Sequence, residues 1–413
     1  MRTETAKRVT VIGAGFSGLA SAYYLAKAGY QVDVLESADR EGGLISTLKT
    51  DDGIVETAAN GILSSNTVEE LFADLGLEFS PTLRTARRRY IFRDRRLRQW
   101  PLSISSTLRL LKFIFFFFAF RSHIEPRSTE SVHVWAARTM GWEAGLFLIE
   151  PALQGIYAGP ASQLSASLIF SRFFGDRSLR PITRGRIRGT IAPIGGMGEL
   201  VKSMKKKLLE MGVVFERRFV GELADQPRHP WIIATPAFAA AGIVRRLFPQ
   251  VADLLNQVTY LPLISTTVFF HKTHEKSRGF GILFPRCEKR PFLGVLKNNF
   301  IFPGRSARAF SETWMMGDMK VSDMSDEKIL ELIVEERKSC FGLNEKPASF
   351  AVNRWEKALP FYSVDLERMM GQISESRKNI LLMGNYLGQI GLRQILEVAS
   401  QLPGRIANEG QWE

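Results

Sequence analysis

The feature that most constrains this chain is the run Val9 to Gly43, VTVIGAGFSGLASAYYLAKAGYQVDVLESADREGG. It opens with a β-branched apolar segment, Val9-Thr10-Val11-Ile12, whose unbroken hydrophobicity predicts a buried parallel strand. Three glycines follow at G-x-G-x-x-G spacing: Gly13, Gly15 and Gly18. The first permits a tight turn. The second lets a pyrophosphate approach the backbone, and the third lets the next helix pack closely on the strand. Ala14, Phe16 and Ser17, which lie among them, share the expected cofactor contact. The helix is expected over Phe16 to Ala28, with Gly29 as its cap. A second strand, Gln31 to Leu35, ends in Glu36, with Ser37 beside it. A carboxylate about 20 residues past the glycines accepts from ribose hydroxyls and repels a 2′-phosphate. Strand, glycines, helix, strand and acid, in that order, predict a dinucleotide site.

The glycines alone do not separate NAD from FAD. After Glu36 comes Ser37-Ala38-Asp39-Arg40-Glu41-Gly42-Gly43. It resembles the E-x-x-x-R-x-G-G extension of the FAD-containing amine-oxidase and glutathione-reductase-like superfamily. The resemblance implies non-covalent FAD, with Gly43 and Leu44 against its phosphates. Asp51 to Gly61, DDGIVETAANG, then holds a hairpin turn at Asp52-Gly53 and a short strand at Ile54-Val55. In that superfamily this loop reaches the isoalloxazine edge, which makes Ala58, Ala59, Asn60 and Gly61 expected contacts; an ordinary turn is the plainer reading.

With 413 residues the chain is long enough for two domains, and its apolar content is that of a globular protein. Its net charge of +13 favours an anionic partner. Cys287 and Cys340 are the only two cysteines, so no disulfide framework or metal cluster is expected. His271 and His274 form HKTH with no acid or thiol cluster nearby, and no metal site is expected there either. The first strand begins within eight residues of Met1, so no signal or transit peptide is expected. Arg87 to Trp100, RRRYIFRDRRLRQW, holds seven arginines. Its aromatics are not spaced as a stacking platform, so a basic hairpin is predicted and nucleic acid is not. Leu108 to Phe120, LRLLKFIFFFFAF, is the most apolar piece of the chain, and its 13 residues fall short of the about 20 that span a bilayer. A buried helix is one reading. Four successive phenylalanines flanked by Arg109, Lys112 and Arg121 favour instead a monotopic helix lying on an anionic membrane surface.

A narrower resemblance rests on SVHVWAARTMGWEAGLFLIEPALQGIYAGPASQLSAS, residues 131 to 167. This looks like the substrate-side helical region of the protoporphyrinogen and coproporphyrinogen oxidase family, whose core reads E-P-x-x-x-G-I/V-Y-A-G. Further matches are the segment Pro193 to Gly198, the strand Trp231 to Pro236, Phe302-Pro303-Gly304-Arg305 and the run Arg354 to Tyr362. Near the end, ILLMGNYLGQIGLRQIL resembles the family's strand-to-helix turn, where Ile390, Gly391 and Leu392 point a helix N-terminus at the flavin. A strand ending at Phe219-Val220 is where the superfamily touches adenine by backbone.

The resemblance implies an α/β fold: a Rossmann-type, glutathione-reductase-like FAD-binding domain, a mixed-sheet substrate domain and a helical membrane-binding cap. The FAD domain is expected at 1–85, 186–240 and 372–413, the cap at 86–185 and the substrate domain at 241–371. The implied activity is oxidation of a porphyrinogen, protoporphyrinogen IX before coproporphyrinogen III, with O2 as acceptor. Flavin carries the chemistry, so no catalytic side chain is required. Arg89, before Tyr90, matches the family's substrate-carboxylate arginine. Gln389 and Arg393 stand where the family has glycine. Lys297 falls at a substrate-lining phenylalanine position and favours the alternative, a flavin amine oxidase. The implied setting is cytoplasmic, attached to the inner face of the membrane, with room for a homodimer.

Overall fold

The computed structural model describes residues 7–119, 124–174, 185–271, 278–306, 310–317, 324–373, 376–377 and 379–408. Phe120, Arg121 and His274 lie outside them. The chain is α/β and is organised around two sheets.

The first sheet has six strands, in the order Val214–Arg217, Gln31–Glu36, Arg8–Ile12, Trp231–Ile233, Ile380–Leu382 and Ser376–Arg377. All neighbours are parallel except the last pair. Helices pack on both faces, which is why the strands read as continuous apolar runs. On one face Val9, Val11, Val32 and Val34 meet Leu19, Ala20 and Tyr23 of the helix Phe16–Lys27. On the other, Ile12, Ile233 and Leu382 meet the helix Ala237–Val244. Each such side chain, fully buried, contributes about 1.5–3 kcal/mol. From Arg8–Ile12 the chain steps one way to Gln31–Glu36, while Trp231–Ile233 pairs on the other side. Ligand crevices open at such a reversal, beyond the strands' carboxyl ends.

The second sheet has seven strands: Ser349–Pro360, Tyr260–Phe270, Phe310–Met316, Gly294–Lys297, Gly281–Leu283, Arg89–Arg93 and Arg96–Arg98. The predicted basic hairpin is its edge, turned at Asp94 and Arg95, both with positive φ. Its strand Arg89–Arg93 pairs with Gly281–Leu283. These residues, expected in the helical cap, therefore belong to the mixed sheet. The helix Asp326–Phe341 covers one face, packing Ile329 and Ile333 onto Ile264, Val268, Val295 and Trp314.

Between these layers run short helices. Ser131 caps Val132–Thr139, and a π-helical turn, Gly145–Ile149, leads into Glu150–Tyr157. The apolar run forms the helix Ile104–Ala119. Leu110 and Phe113 pack inward, and Phe117 stacks edge-on against Phe174. Ile104, Leu108, Leu111, Phe115 and Phe118 all face out, Phe115 at 62% and Phe118 at 71% exposure. The segment is thus a surface helix, apolar on both sides. Among the described residues no helix is long and apolar enough to cross a membrane. The strand expected to reach Phe219-Val220 ends at Arg217.

Candidate functional site

The glycine turn lies where the first sheet reverses. Gly13 has φ +96, a conformation that favours glycine. A Cβ on Gly18 would fall 1.8 Å from Gly13 O, so the helix can approach the strand only without one. Gly15 differs: a Cβ there meets nothing within 4 Å. Open space therefore stands over the backbone at the mouth of the helix Phe16–Lys27, which has no side-chain cap and no acid in its first turn. Such an N-terminus favours an anion. Phe16 is buried in the core, so only its backbone can serve a ligand. Ser17 O accepts from Ser21 Oγ at 2.7 Å.

Glu36 ends its strand with the carboxylate turned back to this mouth. It accepts from Ala14 N at 2.7 Å and Ala38 N at 2.9 Å, with Ser37 Oγ at 3.3 Å. Arg218 N donates to Glu36 O at 2.8 Å, so Phe219-Val220 follow immediately beside this end. The Gly42-Gly43 pair closes the turn from the other side. Gly42 N donates to Ala14 O at 2.8 Å, and Gly43 adopts φ +58. Arg40 holds that loop, donating to Gly43 O at 2.7 Å and Ile45 O at 3.4 Å.

The loop Ala58 to Gly61 is tied to the same region by residues to which the sequence assigns no role. Thr57 Oγ1 donates to Leu44 O at 2.7 Å. Trp355 Nε1, from the second sheet, donates to Thr57 O at 2.8 Å. Arg305 Nη2 donates to Asn60 O at 3.1 Å, and its Nη1 pairs with buried Glu56 at 2.5 Å. Glu56 also takes Thr47 Oγ1 at 2.6 Å and Met197 N at 2.9 Å. Arg40, Arg305 and Trp355 all sit in the matched motifs, and that is the signal that points to them. Gly391 caps the helix Leu392–Ala399, which packs on Phe16–Lys27. Ile390 and Leu392 pack toward the two core clusters flanking the first sheet. Arg393 lies 3.6 Å from Glu397 on the same helix.

Two of the expected residues lie on the second sheet, where alternation decides what they face. Tyr90 and Phe92 pack on the side of the helix Asp326–Phe341. Arg89, Ile91 and Arg93 therefore point to the opposite face. Phe280 and Leu296 pack there against the core of the first sheet. The Arg89 guanidinium sits 4.8 Å above the Phe280 ring. Arg93 pairs with Glu143 and stacks on Phe147 at 4.1 Å.

Lys297 follows the other parity, and the expectation that it borders substrate is corrected. It shares the side of Val295, under the helix Asp326–Phe341, and is 1% exposed. Its Nζ lies 2.5 Å from Glu312 Oε1 and 3.7 Å from the Phe341 ring centre. Arg337 makes an ionic contact to Glu312 Oε2 at 3.2 Å, and its guanidinium lies over Phe270. Burial pushes the Lys297 ammonium below its usual range, against Glu312. Burial pushes the Glu312 carboxyl up, but Lys297 and Arg337 outweigh it and hold the group below its usual range. Leu296, not Lys297, faces the first sheet.

An open-backed glycine, an uncapped helix mouth, a fixed carboxylate and a second helix N-terminus together suit a dinucleotide carrying a second ring system. This is the arrangement of a flavin-dependent α/β oxidoreductase. Comparison with known proteins agrees. The profile of the flavin containing amine oxidoreductase family matches residues 16–225. The chain belongs to that family, and its cofactor is FAD. Relatives include the coproporphyrinogen III oxidase of Bacillus subtilis, 24% identical over 90% of both chains. The mitochondrial protoporphyrinogen oxidase of Nicotiana tabacum is 25% identical over 95% of this chain and 93% of its own. The fold also matches cyclohexylamine oxidase from Brevibacterium oxydans, with TM-score 0.73 at 16% identity, covering 98% of this chain and 99% of that one.

Proposed function

We propose that this chain oxidises a porphyrinogen to the porphyrin in tetrapyrrole synthesis. The observation that carries the reading is Arg89, which lies on the sheet face turned toward the flavin-binding half. Bound FAD supplies hydride acceptance and passes the electrons to O2. Arg89 holds a propionate through its planar fork and so fixes one edge of the macrocycle. Ile91, Leu283, Leu296 and Met315 share that face by strand register and offer the ring system an apolar bed. The helix Glu150–Tyr157, whose Gly155 lies against Leu283, helps keep water out.

Protoporphyrinogen IX is the first substrate to test. Coproporphyrinogen III is the second reading, and the Bacillus subtilis relative favours it. An amine oxidase would draw its support from Lys297, which is engaged with Glu312 on the far face. Anaerobic mixing of the holoenzyme with each porphyrinogen and with a polyamine tests all three. Flavin bleaching by a porphyrinogen is expected; bleaching by the amine alone would overturn the reading.

The nucleotide-binding half is of the glutathione-reductase-like Rossmann type in this proposal, in keeping with its parallel sheet and reversal point. The helix Ile104–Ala119 serves as the membrane contact of the cap. Its outward row of Ile104, Leu108, Leu111, Phe115 and Phe118 supports a monotopic attachment, and the net charge of +13 suits anionic headgroups.

A further inference from the structure

Asn353 is a half-buried amide on the sheet face turned toward the flavin-binding half, and the substrate and cofactor contacts described above do not use it. Its neighbour Val352 packs with the far-face cluster, so Ala351, Asn353 and Trp355 point the other way. Ala351 packs against Val55 and Phe269 there, and Trp355 reaches the carbonyl of Thr57 beside the flavin-edge loop. Asn353 stands one pleat from Trp355. Its strand also packs against the turn Asn385–Leu387, which leads toward Ile390 and Gly391. Across the ladder its register partner is Ser265, and beyond that Met315.

The Asn353 Nδ2 is shielded from solvent and has no hydrogen-bond partner among the described residues. A buried amide left so is costly, and native proteins seldom keep one without a ligand or ordered water to receive it. We propose that Asn353 donates a hydrogen bond to the acceptor edge of the isoalloxazine and so raises the reduction potential of bound FAD. The reduced ring carries more electron density at that edge than the oxidised ring does. A fixed neutral donor therefore stabilises the reduced form more. The inference rests on FAD as the cofactor and not on which substrate reduces it.

The test is the midpoint potential of the purified holoprotein, set by equilibration with redox dyes and no porphyrinogen present. Asn353→Leu removes the donor at similar volume. The reduction equilibrium should become about tenfold less favourable, the worth of one hydrogen bond, or about 30 mV more negative for two electrons. Asn353→Asp should shift it further, because a carboxylate repels the reduced ring. Asn353→Ser, smaller and polar, carries the test if the leucine variant does not fold. Potentials unchanged in FAD-loaded variants would overturn the proposal, even if their melting temperatures fall, since that pattern marks a purely structural amide. Wild-type inactivity toward both porphyrinogens would leave this measurement intact.

Discussion

Gly15 and Gly18 look alike in the motif but do different work, and substitution separates them. Gly15→Val should purify colourless yet melt at the temperature of the FAD-free wild type, because only open space is filled. Gly18→Ala should lower the melting temperature itself, since its Cβ collides with Gly13 O. At Arg89, alanine should reduce porphyrinogen kcat/KM by roughly ten- to hundred-fold, the worth of a charged hydrogen bond of about 1.5–3 kcal/mol, and lysine should restore only part. The Lys297 group behaves as buried structure. Glu312→Gln leaves Lys297 and Arg337 as uncompensated buried cations and should cost roughly 3–5 kcal/mol in denaturant melts. Lys297→Met leaves Glu312 with Arg337 and should cost less, with flavin reduction retained. The glycines and Glu36 were legible because each is dictated by local backbone chemistry. Lys297 was not, because one residue of strand parity exchanges the two faces of a sheet, and an alignment across unlike segments does not fix that parity.

At the scale of elements, the helix Ile104–Ala119 is where period and composition disagree. Its letters allowed either a buried helix or one lying on a membrane surface, and which side the protein covers depends on partners distant in sequence, Trp135 and Phe174. The outward pair for mutation is therefore Phe115 and Phe118. Phe115→Asp with Phe118→Asp should abolish sedimentation with anionic liposomes while FAD stays bound. Unfolding of that double variant would contradict the exposed arrangement. Wild-type attachment should weaken at high salt, since headgroup attraction is screened over about 8 Å at physiological ionic strength. The start of the same helix is moored by Glu143, which accepts from Ser103 N at 3.1 Å and Ser103 Oγ at 2.5 Å and pairs with Arg93. Burial pushes the Glu143 carboxyl up, but hydrogen bonds from Ser103, Ser106 and Arg93 prevail and hold it at about 2. The folded value lies below the ordinary 4.5, so its contribution is whole above that pH and is lost as pH falls toward 2. Thermal melts should show a smaller loss between pH 5 and pH 3, as approximate limits, in Glu143→Gln than in the wild type.

In the whole molecule, Arg305 is one of several ties between the cofactor-side hairpin and loop and the segments of the larger sheet. It joins Glu56 and Asn60 O on the cofactor side to the segment that follows the helix Asn298–Ile301. Arg305→Met should lose FAD on gel filtration while keeping most of its secondary structure by circular dichroism. The F-P-G-R letters marked this position, but nothing local could say that its partner lies at Glu56, far back in the chain. The parallel sheet has the same long reach. Arg8–Ile12 pairs with Trp231–Ile233, which in turn pairs with Ile380–Leu382, and the helix Leu392–Ala399 closes against Phe16–Lys27. During synthesis, then, the glycine turn leaves the ribosome long before the groove around it can exist. Until residue 399 has emerged, the segments that surround the glycine turn in the folded chain are not all present to meet it. Yellow colour in a nascent or truncated chain would thus report that widely separated segments have met, which makes flavin uptake a quality check on translation as well as a step in assembling the enzyme.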